Sequence, residues 1–239
     1  MAVEASAAAA RAMLFRKDGT AQGVAKQRLI ESIALPDKRV IHDPFAECFV
    51  KGAGIVKCLG HGVNTYLANK IVPGLHDHLI ARTRVIDELV KECAAAGATQ
   101  YVILGAGYDM RAYRLGLPTS LRIFEVDQQE VQELKQANMP PDALTSGTAT
   151  YVTVDFNTQT LSDQLVKAGF QKGAPSIITL EGVTQCVHGP VRANACVRAC
   201  VRAYVPHHVP PLPEANLRRL VALQVHSQGS SGSDIERDG

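Results

Sequence analysis

The sequence predicts an α/β fold: a parallel sheet flanked by helices. Three observations predict it. Short apolar runs alternate with amphipathic stretches along the middle of the chain. Each run is bounded by turn residues and ends in a glycine or an acid. The first run, Tyr101-Val102-Ile103-Leu104, breaks abruptly into Gly105-Ala106-Gly107. Strand and helix in strict alternation require right-handed crossovers, and these lay helices over both faces of a parallel sheet. Ligands of such sheets bind outside the carboxyl ends of the strands.

Taken in order, residues 1–19 form an alanine-rich leader read as flexible. Val24 to Ile33 has a helical pattern, with Leu29, Ile30 and Ile33 on one side. His42-Asp43-Pro44-Phe45 reads as a helix start, with Asp43 as cap and Pro44 in the first turn, and this helix is expected to run through Val50. A segment containing glycine and histidine follows to about Tyr66. Asp77 to Ala96 carries the clearest helical stripe, Leu79, Ile80, Val85, Ile86, Leu89 and Val90, and Gly97 ends it. The Gly-Ala-Gly run closes strand one, and residues 109–115 read as a short helix. Leu121 to Val126 is strand two, ending at Asp127. Gln128 to Asn138 is a helix with Val131 and Leu134 inward. Thr150 to Val154 is strand three, ending at Asp155-Phe156. Leu161 to Gly169 is helical, and Ser176 to Leu180 is strand four, ending at Glu181.

Composition excludes several functions. A net charge of +2 gives no electrostatic basis for binding nucleic acid. The chain has no tryptophan and few aromatics, so a base-stacking surface is not expected. No stretch is long and apolar enough to span a bilayer. The six cysteines form no CxxC pair, and Cys196 and Cys200 with His207 and His208 match no common zinc module. No metal site is expected. Scattered thiols suit a reducing compartment, and a cytoplasmic location is the expectation. His61, His76 and His78 have no partner that the sequence identifies.

The glycine turn narrows the ligand. A dinucleotide fold carries Gly-x-Gly-x-x-Gly, whose third glycine lets a helix end approach the pyrophosphate. Here Met110 stands at that position. Asp127 suits a ribose diol, because both hydroxyls donate to a carboxylate. Asp155 with Phe156 suits adenine, through its amino group and its ring face. Adenosine without pyrophosphate points to S-adenosylmethionine.

The ordered set Gly105-Ala106-Gly107-Tyr108-Asp109-Met110-Arg111-Ala112-Tyr113-Arg114-Leu115, Phe124-Glu125-Val126-Asp127, Val154-Asp155-Phe156-Asn157 and Leu180-Glu181-Gly182-Val183-Thr184 resembles the successive motifs of the leucine carboxyl methyltransferase family. The closer similarity is to its branch of S-adenosylmethionine-dependent methyltransferases. Ala81-Arg82-Thr83-Arg84-Val85-Ile86-Asp87 and His42-Asp43-Pro44-Phe45-Ala46 also resemble that branch. The resemblance implies a Rossmann-like methyltransferase fold, with a cofactor-binding domain over residues 20–186, and S-adenosyl-L-methionine as cofactor. By position it implies that Arg82 pairs with the methionine carboxylate and that Gly105 lies under the cofactor. Asp127 would hold the ribose, Asp155 and Phe156 the adenine, and Glu181 would lie near the methionine moiety. The acceptor would be a carboxyl or hydroxyl group on a small molecule or protein. No catalytic base is identified, since a carboxylate acceptor is already nucleophilic.

After Gln185 the chain departs from the family pattern. Residues 187–239 read as an atypical, partly disordered tail. The sheet is therefore expected to be incomplete on its carboxyl-terminal side, with strand four as an edge. Two alternatives follow: an inactive relative that at most binds the cofactor, and a nicotinamide-dependent oxidoreductase.

Overall fold

The computed structural model describes residues 19–181 apart from 142, 144–148, 156 and 157. The expectations for Phe156, the leader before Gly19 and the tail after residue 186 lie outside the described residues. Four parallel strands form one sheet in the order β3-β2-β1-β4. They are β1 (Gln100–Leu104), β2 (Arg122–Asp127), β3 (Ala149–Thr153) and β4 (Ser176–Leu180). Leu104 is in register with Val126 on one side and Leu180 on the other. Asp127 faces Thr153 in the next pair. The strands therefore end together, and Gly105, Asp127, Asp155 and Glu181 lie along one rim. Among the described residues β4 pairs only with β1, and the chain that follows it, on which the expectation of an incomplete sheet rests, lies outside them.

The alternation of side chains divides the core. Tyr101, Ile103, Ile123 and Ile177 pack on one face with Val90 and Ala94 of the long helix α3 (Leu75–Ala95). Val102, Leu104, Phe124, Val126, Val152 and Val154 pack on the other with Leu165 of α6 (Leu161–Lys167). This is the period of two expected of a pleated strand covered on both sides. Full burial of each such side chain is worth about 1.5–3 kcal/mol, which is why an unbroken apolar run can form β1. Gln100, also fully buried, satisfies its amide locally. Its Nε2 donates to Gln171 O at 2.9 Å, and its Oε1 accepts from Gln171 N at 2.7 Å.

A third cluster lies beyond the rim. Ala25, Leu29 and Ile30 of α1 (Gly19–Ser32) pack with Phe49, Val56, Tyr108 and Met110. Phe49 stacks on Tyr108 with ring centroids 4.6 Å apart. Arg28 ties this layer to the rim turn, donating from Nε to Asp43 Oδ2 at 2.8 Å and from Nη2 to Tyr108 O at 2.6 Å. Asp43 also accepts from Phe45 N at 3.0 Å, but the turn that follows starts at Ala46 with Phe45 as its N-cap and no side-chain cap bond, so Asp43 is not the cap expected of it. The helix that follows is only the 3-10 turn Ala46–Phe49.

Two readings are revised. The segment before Tyr66, to which no element was assigned, is part of α2 (Ala53–Ile71), interrupted at Gly60 with φ 72° and ψ 172°. Glycine disfavours a helix by about 1 kcal/mol per residue, and packing against α1 overrides that preference. Asn64 spans the interruption, donating from Nδ2 to Val56 O at 2.8 Å and Gly60 O at 2.6 Å. The second correction concerns α5 (Gln129–Asn138). Val131 is buried but Leu134 is 40% exposed, and the inward position belongs to Lys135. Lys135 turns inward because Glu125 is buried and needs a counter-charge. Its Nζ donates to Glu125 Oε2 at 2.6 Å and also to Asp109 O. Among the described residues no helix is long and apolar enough to cross a membrane.

Candidate functional site

The turn after β1 forms the centre of the rim. Gly105 and Gly107 both take positive φ, 63° and 46°, where a side chain is strained. A Cβ on Gly107 would also stand 3.2 Å from the Cβ of Ala21 on α1. The glycine is therefore required by the packing of α1 as well as by the turn. Ala106 N donates to Val126 O at 3.1 Å, which fastens the turn to the end of β2.

Asp127 completes this fastening. Its Oδ2 accepts from Gly107 N at 2.6 Å and its Oδ1 from Gln128 N at 2.7 Å. Burial raises its proton affinity above that of an ordinary aspartate, and the two amide donors only partly offset that rise. A half-buried carboxylate held by backbone N–H groups keeps lone pairs available for hydroxyl donors. Asp155 stands beside it at the end of β3, where Val154 N donates to Asp127 O at 3.1 Å. Its Oδ2 accepts from Thr158 Oγ1 at 3.0 Å.

Met110 is fully buried in the third core cluster. It replaces the third glycine of a dinucleotide turn with a large apolar side chain. The helix that follows, α4 (Arg111–Arg114), has only four residues. The turn thus lacks the long helix whose N-terminus would face a pyrophosphate.

The β4 side of the rim is built from ion pairs. Arg82 of α3 directs both Nε and Nη2 to Glu181 Oε1, at 3.1 and 2.7 Å. Glu181 Oε2 accepts from Arg111 Nη1 at 2.8 Å. Arg111 also donates from Nη1 to Asp109 Oδ2 at 2.5 Å and from Nε to Asp87 Oδ1 at 2.7 Å. Arg114 adds a forked pair to Asp87 at 2.6 and 2.8 Å. Three guanidiniums face three carboxylates. Burial alone would raise the Asp109 carboxyl, but Arg111, Arg28 and Arg114 outweigh it and hold it at about 2. The same contest leaves Glu181 below the usual carboxylate range, with Arg111 and Arg82 overcoming its burial.

The structure therefore brings Arg82 to Glu181, and the Gly105–Gly107 turn to Asp127. Sequence reasoning missed Arg111, Asp109 and Asp87 as the support of this rim. Asp87 shares a helix with Arg82, but no spacing rule points from Asp87 to Arg111. Tyr113 and Arg114 reach residues of other elements: Tyr113 Oη lies 2.7 Å from Tyr151 Oη, and Arg114 binds Asp87.

A parallel sheet with a two-glycine turn, a carboxylate at the end of β2 and a charged group at the end of β4 defines a Rossmann-like methyltransferase fold. The chain belongs to the leucine carboxyl methyltransferase family, whose sequence profile matches residues 21–189. It is 34% identical over 177 residues to a protein of Saccharopolyspora erythraea named "Putative S-adenosyl-L-methionine-dependent methyltransferase", a match covering 73% of this chain and 60% of that protein. A Rhodococcus jostii protein with the same descriptive name is 36% identical over 174 residues, covering 71% and 56%. One from Mycobacterium tuberculosis is 35% identical over 184 residues, covering 73% and 57%. The matches thus cover less than two thirds of these relatives' length. Neither family nor relatives point to an oxidoreductase, and that alternative is set aside.

Proposed function

We propose that this chain is an S-adenosyl-L-methionine-dependent methyltransferase whose acceptor is a carboxyl or hydroxyl group on a small molecule or protein. The observation that carries the reading is the Asp127–Gly107 fastening beside a buried Met110. It offers a carboxylate to a ribose while lacking the glycine and long helix that serve a pyrophosphate. When bound, S-adenosyl-L-methionine would supply a methyl group on a sulfonium, whose carbon an oxygen nucleophile attacks in line as the S–CH3 bond breaks and the neutral thioether leaves.

The residues of the rim bind and orient. Asp127 accepts from the ribose hydroxyls, and Asp155 with Phe156 receives the adenine. Gly105 leaves room for close backbone approach. Arg82 meets the methionine carboxylate, and Glu181 takes the neighbouring ammonium. A zwitterion placed there exchanges one set of ion pairs for another, so the charges of the rim stay balanced. Holding the acceptor in line then supplies much of the rate, without a general base. The cofactor-binding domain spans residues 20–186 in this reading. A cytoplasmic location fits the free thiols of Cys48, Cys58 and Cys93.

The test is transfer of tritiated methyl from S-adenosyl-L-methionine to fractionated cell extract, with the Asp127→Ala variant as control. Expected is label on an acceptor, strongly reduced with the variant. Label released by mild base marks a carboxyl ester, and base-stable label a hydroxyl acceptor. Absence of transfer by a folded, cofactor-binding protein would overturn the transferase reading.

A further inference from the structure

Away from the rim, two histidines without a sequence-level partner meet at one carboxylate. Glu31 lies near the end of α1, His61 directly follows the interruption of α2, and His76 stands in the first turn of α3. Glu31 and His76 are buried, with side chains 6% and 4% exposed, and His61 is half-buried at 38%. The ligand atoms of the three all lie within 4.8 Å of one another.

The distances suit a shared ion better than direct hydrogen bonds. Glu31 Oε2 is 3.4 Å from His61 Nε2 and 3.3 Å from His76 Nε2. Both exceed the usual N–H···O range of about 2.7–3.2 Å. Donors bound at about 2.0–2.1 Å to a tetrahedral zinc ion lie roughly 3.3–3.4 Å from one another. His61 Nε2 is shielded from solvent and, among the described residues, makes no hydrogen bond. Among the described residues the carboxylate is also under-compensated: its other oxygen, Oε1, accepts from the neutral Val40 N at 2.6 Å and from no cation. A buried carboxylate calls for a cation, either a metal ion or a histidinium.

The surrounding hydrogen bonds orient the metal-facing atoms, and the 3.3 Å contact of His76 Nε2 with Glu31 Oε2 is the one an ion between them would replace. His76 Nδ1 lies 2.9 Å from Gln27 Oε1, and donation to that oxygen puts the ring's lone pair on Nε2. The Val40 amide holds Oε1 and turns Oε2 toward the two rings. At Gly60 the helix leaves its regular path one residue before His61, and Asn64 fixes that break.

We propose that Glu31, His61 and His76 bind one divalent transition-metal ion of the zinc class, with water in the fourth position. Two imidazoles and a carboxylate are a ligand set for such metals rather than for calcium or magnesium. The ion ties α1, α2 and α3 together. α1 is the helix whose Ala21 packs on Gly107, and α3 carries Arg82, so the site braces the elements behind the rim. This inference is independent of the transferase reading.

The test is zinc titration of the full chain after chelator treatment, followed by calorimetry and thermal unfolding, in wild type, His61→Gln and Glu31→Gln. His61 is half-exposed, so its variant keeps the fold, which circular dichroism checks. Expected is one zinc per chain at this site and a rise in Tm on loading. His61→Gln weakens that binding at least tenfold and abolishes the rise. Cobalt(II) in place of zinc gives visible tetrahedral bands that His61→Gln removes. Zinc bound equally by wild type and both variants would place the ion elsewhere, for example on cysteines, and overturn the proposal. No zinc binding by folded wild type would overturn it too.

Discussion

The two ends of the rim solve the same problem, a partly buried carboxylate, in different ways. At the end of β2, Asp127 is held by the amides of Gly107 and Gln128. At the end of β4, Glu181 is clamped between Arg82 and Arg111, and Arg111 is itself shared with Asp109 and Asp87. Amide donors hold a carboxylate without cancelling its charge, and burial raises the proton affinity of Asp127. Guanidiniums cancel the charge and hold Glu181 low. The β2 end is thus poised to accept new hydrogen bonds. A ligand bound at the β4 end, as proposed, would have to exchange ion pairs, so in that reading the end would set orientation and specificity more than gross affinity.

The largest test of the contrast is Arg111→Ala. It leaves Asp87, Asp109 and Glu181 short of a buried partner, and breaking such pairs costs about 3–5 kcal/mol. Urea unfolding is expected to show a midpoint far below that of wild type. A loss under about 1 kcal/mol would mean that the network does not hold the β4 end.

Acid provides the next test. The folded carboxyl of Asp109 sits at about 2, below its reference value of 3.8. A depressed carboxylate stabilises the fold above its unfolded pKa, and that stability is lost as pH falls through the folded value. The loss belongs to the window from about pH 4 to 2 and amounts to about 2 kcal/mol. Asp109→Asn is expected to flatten stability across that window. An unchanged acid limb would remove Asp109 from the account.

Cofactor affinity gives a smaller effect. Glu181→Gln removes the carboxylate assigned to the cofactor's ammonium, and calorimetry is expected to show a loss of about 1.5 kcal/mol. Tighter binding in the variant would show instead that Glu181 only competes for Arg82. The smallest effect is expected on the surface. Arg84 and Glu88 form a 2.5 Å pair with both side chains about half exposed. Glu88→Gln is expected to change stability by less than about 0.5 kcal/mol. A larger loss would blur the distinction between buried and exposed charge.

The sequence made the sheet legible because β1 is buried on both faces and reads as an unbroken apolar run. Asp127 was legible for a related reason: a strand end in register with a glycine turn leaves few places for an acid to point. Arg82 and Glu181 emerged from the order of motifs, since on a helix alone Arg82 reads as a solvated residue. The helix α2 was hidden by Gly54, Gly60 and Gly62, because local propensity opposes it and its packing on α1 and α3 favours it. Lys135 was hidden because its inward turn answers a charge on another element, Glu125, that helical periodicity does not register. Arg111 joins Asp87 and Glu181 across 24 and 70 positions, a separation to which no local pattern points. The pair His61 and His76 escaped notice for the same reason: their common partner, Glu31, lies 45 positions before His76.

The central claim is that this rim holds S-adenosyl-L-methionine through its β2 end. Calorimetric titration of the full chain with that cofactor, repeated on Asp127→Ala, tests it most directly. The account predicts binding in the micromolar range or tighter, weakened in the variant by at least ~1 kcal/mol, the scale of a charged hydrogen bond. A folded wild type that does not bind, or a folded variant that binds as tightly as wild type, would contradict it.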